Sequence, residues 1–170
     1  MSSAIQTDSS VNIEGDMWTK LILNLINIPL ALTGISFPFG FKDKHVRFIT
    51  EAAWSEGFDV VKAAGIKADF QDLDSWIGLL KDKSRLNAWL SQLSSNIRVH
   101  PSTHQSLVRG STDESDYLTG ELVRLGERIG MKTPVNIALM QELRRTMQGD
   151  SFEYMQPENL WQIIEDTLSV

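Results

Sequence analysis

The sequence predicts an all-α domain, a bundle of seven or eight helices. Three observations carry that expectation. Apolar residues recur at steps of three and four through most of the chain. No stretch alternates apolar and polar over a convincing length, and β-branched residues are scattered. The apolar segments are punctuated by Asp, Ser, Thr or X-Pro at their starts and by Gly at several of their ends.

The first segment, Asp16 to Gly34, reads as one helix that is apolar nearly all round. Met17, Trp18, Leu21, Ile22, Leu23, Leu25, Ile26 and Ile28 would cover most of its circumference, which predicts a helix buried at the centre. Asp16 is its expected N-cap, and Pro29 is expected to kink it, because a proline ring meets the carbonyl four residues back. Lys20, Asn24 and Asn27 fall at i, i+4 and i+7 and form one polar stripe. Two readings of that stripe stand. Lys20 snorkels to the surface and the asparagines are satisfied locally, or the stripe lines a cleft and works on a substrate.

The next elements follow in order. Gly34 to Lys44 is a loop whose Phe37, Phe39 and Phe41 should fold back on the core. A second long helix runs from His45 to Ala64 on Val46, Ile49, Ala53, Phe58, Val60 and Val61, with Gly65 as a left-handed stop. Asp72–Leu80 and Ser84–Ile97 are amphipathic, with Trp76, Leu79 and Leu80, then Leu86, Trp89, Leu90 and Leu93 inward. Pro101 starts a short helix that Gly110 stops. Ser111-x-x-Glu114 is a capping box before a helix reaching Ile129, whose stripe is Tyr117, Leu118, Leu122, Leu125 and Ile129. Gly120 and Gly126 should admit another backbone, and Gly130 should end this helix. Thr133-Pro134 opens a helix with Ile137, Met140, Leu143 and Met147 inward. Gln156-Pro157 opens the last, with Leu160, Trp161, Ile164 and Leu168 inward.

Composition narrows the functions. The 170 residues suit one domain, expected to occupy 11–170 behind a disordered leader at 1–10. A net charge of -6 argues against a nucleic-acid or anionic-membrane surface. Without cysteine there is no disulfide, thiolate nucleophile or Cys-based metal site, and a reducing compartment such as the cytoplasm fits. Residues 1–10 lack the basic start and apolar run of a secretory signal, and Leu21–Leu32 is too short and too interrupted for a membrane span. There is no G-x-G and no G-K-[ST], so nothing cradles a phosphate in the usual way. His45, His100 and His104 are not set with carboxylates in a metal-binding spacing; they read as surface residues and no metal is expected.

Three stretches read together say more. The first is Trp18-x-Lys20-x-x-x-Asn24, followed by Pro29. The second is Pro101-Ser102-Thr103-His104-Gln105 and, after eight residues, Glu114-Ser115-Asp116-Tyr117-Leu118-Thr119-Gly120. The third is Gly130-Met131-Lys132-Thr133-Pro134-Val135-Asn136. In order and spacing, over residues from about 11 to 148, the chain resembles the C-terminal helical domain of ketopantoate reductase (2-dehydropantoate 2-reductase). The resemblance implies an NADPH-dependent reductase of a small 2-keto acid, of the kind that serves pantothenate biosynthesis. Lys20 matches the family's catalytic lysine, the general acid on the keto oxygen. Asn24 would hydrogen-bond the substrate's oxygens and Ser102 its carboxylate. Glu114 matches the family's conserved acid, placed to pair with Lys20 or the substrate hydroxyl.

Each assignment has a structural counterpart. Glu114 also closes the capping box, Ser102 also fits the first turn after Pro101, and Asn24 also fits as a buried amide. The chain departs from the family at Ile28, Ser106, Ser111, Asp113 and Thr119. The family's second asparagine falls at Ile28, and Asn27, one position early, should point about 100° away from it. The family also carries a βαβ nucleotide-binding domain before this one. No fingerprint for it is present, so NADP(H) is expected only through a domain absent from this chain. Two functions follow. One is the substrate-binding, proton-donating part of a reductase, with a missing or separate Rossmann domain and a homodimer as expected partners. The other is a stand-alone helical binding or scaffold protein that has lost redox activity.

Overall fold

A computed structural model of the chain describes residues 11–93, 98–109, 114–149 and 152–169, with the side chains of residues 114–116 outside that set. The helices are α1 Ile13–Asn24, α2 Asn27–Thr33, α3 Lys44–Ala63, α4 Phe70–Lys81, α5 Lys83–Gln92, α6 Ser102–Arg109, α7 Glu114–Ile129, α8 Pro134–Met147 and α9 Pro157–Leu168. A 3-10 turn, Phe39–Lys42, precedes α3. The fold is all-α. The eight segments expected from periodicity are present, and the first is cut in two.

The cut falls where Pro29 requires it. Pro29 has no amide hydrogen for the carbonyl of Leu25 and its ring crowds that carbonyl. The last turn of α1 tightens, with Leu25 N–H donating to Ile22 O at 3.0 Å, and bonding resumes from Leu30 N–H to Ile26 O at 3.2 Å. Asn12, rather than Asp16, caps α1: its side chain accepts from Gly15 N–H at 3.2 Å. Asn12 also donates to Lys67 O, and Thr19 Oγ1 accepts from Asp69 N–H, which ties α1 to the loop before α4.

The expected central burial divides between the two pieces. Residues 28–33 of α2 are all buried, whereas α1 shows solvent a stripe of Ile13 (66% exposed), Met17 (67%) and Lys20. The hub is α3, which packs against α1, α2, α4, α7, α8 and α9 through Ile49, Ala53, Trp54, Val60 and Val61. The C-terminal helix covers core: Leu160 and Ile164 of α9 are fully buried against α3 and α8. Phe37 and Phe39 are half-buried and Phe41 fully buried, as expected of that loop. Tyr117 (65% exposed), Ile129 (37%) and Leu168 (53%) are not core, and each lies at or near a helix end.

Gly65 and Gly130 hold the left-handed conformation at φ 74° and 73° that ends α3 and α7. Gly126 admits a backbone, since a Cβ there would lie 2.9 Å from Met131 O. At Gly120 the near neighbour is instead the Arg124 side chain of the same helix. The helix expected over Ser84–Ile97 ends instead at Gln92, because Leu93 turns to an extended conformation at φ -78° and ψ 139°. The stop at Gly110 and the Ser111 capping box lie outside the described residues, as does the leader.

One polar clamp was invisible in the sequence. Glu56 of α3 accepts from Val135 N–H (3.0 Å), Asn136 N–H (3.0 Å) and Asn136 Nδ2 (2.8 Å), and so caps the N-terminus of α8 from another helix. Asn136 also donates to Ala53 O at 3.2 Å. The Pro-Val-Asn stretch thus has a structural use: Pro134 starts α8 and Asn136 fastens it to α3. Burial pushes the Glu56 carboxyl above its ordinary value of 4.5, and the three N–H donors pull the other way without overcoming it.

Two outcomes follow for Glu56. Replacing it with Ala leaves buried donors unmet and should lower stability by about 2–4 kcal/mol in urea unfolding. A raised folded-state pKa means the native state holds the proton more tightly than the unfolded chain. Its stabilising contribution is therefore complete below about 4.5 and is lost as pH rises through the raised pKa. Stability measured relative to Glu56→Gln should fall across that window; a flat difference contradicts the assignment.

Candidate functional site

A partly open cleft of about 420 Å³ lies where α1 gives way to α2. Its walls are Leu23, Asn24, Ile26, Asn27 and Leu30 from the broken helix, Phe37, Trp54 and Trp76, and Val99 and Pro101 from the approach to α6. The two sides are far apart in sequence and are joined by one antiparallel bridge. Phe37 N–H donates to Val99 O at 2.9 Å and Val99 N–H to Phe37 O at 3.0 Å. The bridge lies two residues before Pro101, which lines the cleft with Asn24 and Asn27.

The break in the first helix explains why both asparagines reach one cleft. The i to i-3 bond at Leu25 is of the 3-10 type, with three residues per turn, and aligns side chains three apart. Asn24 and Asn27 therefore stand one above the other on the wall, and both are half-buried. The expected 100° offset of Asn27 does not remove it from the cleft, while Ile28 turns fully into the core.

Beneath the asparagines the cleft is aromatic. Trp54 meets Trp76 edge to face at 6.2 Å and Phe41 at 6.3 Å, and Phe37 meets Phe41 at 5.7 Å. Trp54 is 3% exposed, and its indole nitrogen is buried with no hydrogen-bond partner. The lining includes no Lys, Arg, His, Asp or Glu. Its polar character comes from two amides set in an apolar wall, an arrangement that orients a small ligand with an apolar body.

The predicted site residues fall as follows. Asn24 lines the cleft. Lys20 is exposed one turn earlier on the same face of α1, outside the cleft lining and with no ion pair or hydrogen bond among the described residues. Ser102 is exposed at the first position of α6, directly after the cleft residue Pro101. Glu114 is the first residue of α7, and its side chain lies outside the described set, so its pairing with Lys20 is not part of the observed geometry. Asn27 and the aromatic floor were not among the predicted site residues. The signal for Asn27 was present as the third member of the polar stripe.

The model of the ketopantoate reductase PanE/ApbA C-terminal family matches residues 12–148. The chain belongs to that family. Among solved structures, a PanE/ApbA family ketopantoate reductase from Ralstonia eutropha JMP134 is similar, with a TM-score of 0.67 and 27% identity. The likeness covers 94% of this chain and 46% of that one, so this chain spans about half the length of its relative. Comparison with curated proteins finds no match. The family match ends at Gln148, so α9 lies beyond it, although the structural likeness covers nearly the whole chain.

Next to the cleft, His104 of α6 stacks on His100 from the segment before that helix. The His100 and His104 rings lie 4.3 Å apart, and His104 Nε2 is 2.9 Å from the Tyr154 hydroxyl. The two histidines, read from the sequence as surface residues, thus stack on each other. Burial, and then the charge of His100, lower the His104 pKa below its ordinary 6.5. Replacing His100 with Asn removes the second cause, so the His104 titration followed by NMR should move upward. No movement would show that the stack carries no electrostatic coupling.

Proposed function

We propose that this chain is the substrate-binding and proton-donating part of an NADPH-dependent reductase acting on a small 2-keto acid. The observation that carries the reading is the convergence of two distant stretches. Asn24, from the Trp18-Lys20-Asn24 stretch, and Pro101, next to Ser102, share the walls of one cleft. Membership of the ketopantoate reductase family supports the reaction class.

The chemistry asks for few groups. Reduction of a keto acid adds hydride to carbon and a proton to oxygen, and the charge developing on that oxygen needs a nearby acid. Lys20, solvent-exposed and one turn from Asn24, is the proposed donor. A lysine that reaches solvent also regains its proton between turnovers. Asn24 offers an amide to the substrate's oxygens, Ser102 offers a hydroxyl to its carboxylate at the rim, and Glu114 is proposed to pair with Lys20 or the new hydroxyl. The apolar floor would take the substrate's carbon skeleton and keep water from it.

The cleft does not fit the cofactor's phosphates. It has no cationic side chain in its lining, and no glycine turn opens a helix towards it. Holding NADPH is therefore assigned to a separate nucleotide-binding domain. The exposed stripe of Ile13, Met17 and Lys20, which runs towards Asn24, suits a surface that such a domain would cover. A homodimer and a cytoplasmic location complete the proposal. Among the described residues no helix is long and apolar enough to cross a membrane. A scaffold without redox activity is the second reading, favoured by the substitution at Ile28, where the family's second amide is replaced by a buried alkyl group.

Reconstituted with a nucleotide-binding domain, the protein should reduce a 2-keto acid. Lys20→Ala should cut turnover by about 10²–10⁴-fold, the usual worth of a positioned general acid. Asn24→Ala should mainly raise KM. Turnover near wild type in Lys20→Ala would remove it from catalysis. Absence of any Lys20-dependent tryptophan fluorescence response to keto acid in the reconstituted protein would favour the scaffold.

A further inference from the structure

A second concavity, away from the cleft residues, gathers positive charge on a chain whose net charge is -6. It is a groove of about 690 Å³ between the 3-10 turn, the start of α3 and the length of α5. Lys42, Lys44, Arg47 and Lys83 line it together with Asn87, Ser91, Leu90 and Asp43. Four of the chain's 16 basic residues thus face one groove, against one carboxylate.

That carboxylate is already committed. Asp43 Oδ1 accepts from His45 N–H at 2.8 Å and Val46 N–H at 3.0 Å, capping α3. It is more than 4.0 Å from every Lys or Arg nitrogen among the described residues, and none of the four cations forms an ion pair there. Two of them stand where their helices disfavour them. Lys44 and Lys83 are the first residues of α3 and α5, at the positive ends of those helices, where an anion is favoured and a cation is not. Packing does not demand them, since both are exposed.

The groove is also partly rigid. Arg47 is half-buried, and its Nη1 donates to Phe41 O at 2.8 Å and Lys42 O at 3.3 Å, which fixes the guanidinium against the 3-10 turn. The Lys42 ammonium lies 4.8 Å from the centre of the Phe39 ring. Asn87 and Ser91, one turn apart on α5, add neutral donors to the same groove. One fixed guanidinium and three exposed ammonium groups beside an amide and a hydroxyl match the donor set of a phosphate group.

We propose that this groove binds a small phosphate-bearing anion, with Lys42, Lys44 and Lys83 neutralising its charge, Arg47 as a fixed donor, and Asn87 and Ser91 hydrogen-bonding its oxygens. The site is separate from the cleft and does not depend on the reductase reading. On a chain of net charge -6 this groove is a local focus for anions, and occupancy relieves repulsion among its cations.

Inorganic pyrophosphate is the probe, titrated into the 170-residue chain and followed by amide chemical shifts and calorimetry. The expected result is saturable binding that shifts the Lys44, Asn87 and Ser91 amides and weakens as salt is raised. The doubly substituted Lys44→Gln, Lys83→Gln protein should bind about tenfold more weakly. Both side chains are exposed at helix starts that disfavour a cation, so the variant should unfold no lower than the wild type, which separates lost binding from lost folding. No saturable binding, equal binding by the double variant, or shifts confined to another surface would overturn the proposal. So would binding of an acidic peptide in place of pyrophosphate, which would make the groove a protein contact.

Discussion

Pro29 lacks an amide hydrogen, and the organisation of the cleft depends on that. A residue with an N–H at this position would let the Leu25 carbonyl keep its bond, and α1 and α2 would run as one rod. Instead the final turn of α1 tightens through Leu25 N–H to Ile22 O, and α2 begins afresh at Asn27. The tightened turn sets Asn24 and Asn27 in line on one wall. It also separates a piece that is buried along nearly its whole length from a piece that shows solvent a stripe ending near Lys20. Burial and access are both supplied by a single segment because its hydrogen bonding is interrupted once.

Two long-range connections join distant segments, and the first of them holds the opposite wall. The Phe37–Val99 bridge exchanges both backbone hydrogen bonds and brings Pro101 into the same cleft as Asn24 from about 80 residues away. The Glu56 clamp joins α3 to α8 and satisfies N–H groups at the start of α8 that Thr133 leaves unmet, since the Thr133 side chain makes no capping bond. A carboxylate on a neighbouring helix thus replaces the local cap. Trp54, Trp76 and Phe37 line the cleft, and Phe41 packs edge to face against Phe37 and Trp54. The cleft therefore offers amides at its wall and hydrocarbon below, while four cations without an ion pair gather in a different groove.

The local parts of this arrangement were legible in the sequence. The left-handed stops at Gly65 and Gly130 follow from their positions just past apolar stripes, and the Pro starts of α8 and α9 follow from the fixed φ of proline. The site of the helix break followed from Pro29, since the steric rule points four residues back. The cap at Asn12 was missed because Asp16 is an equally good capping residue and position alone does not choose between them. Tyr117, Ile129 and Leu168 satisfy the helical apolar pattern, yet they are exposed. Periodicity gives the face of a helix and not how far along that face the neighbours extend.

The sequence by itself determined the class, the helix order and the family, because propensity, capping and apolar spacing act over one or two turns. It also put Lys20, Asn24 and Asn27 on one stripe. Tertiary structure alone decided which stripe members meet the cleft and which meet water, placing Asn24 and Asn27 in the wall and Lys20 in solvent. It alone decided that Glu56 serves α8, that Val99 pairs with Phe37, and that Lys42, Lys44, Arg47 and Lys83 share a groove. These depend on contacts between residues about 40 to 80 positions apart, and spacing along the chain carries no record of which distant groups the packed helices bring into hydrogen-bond or Coulomb range.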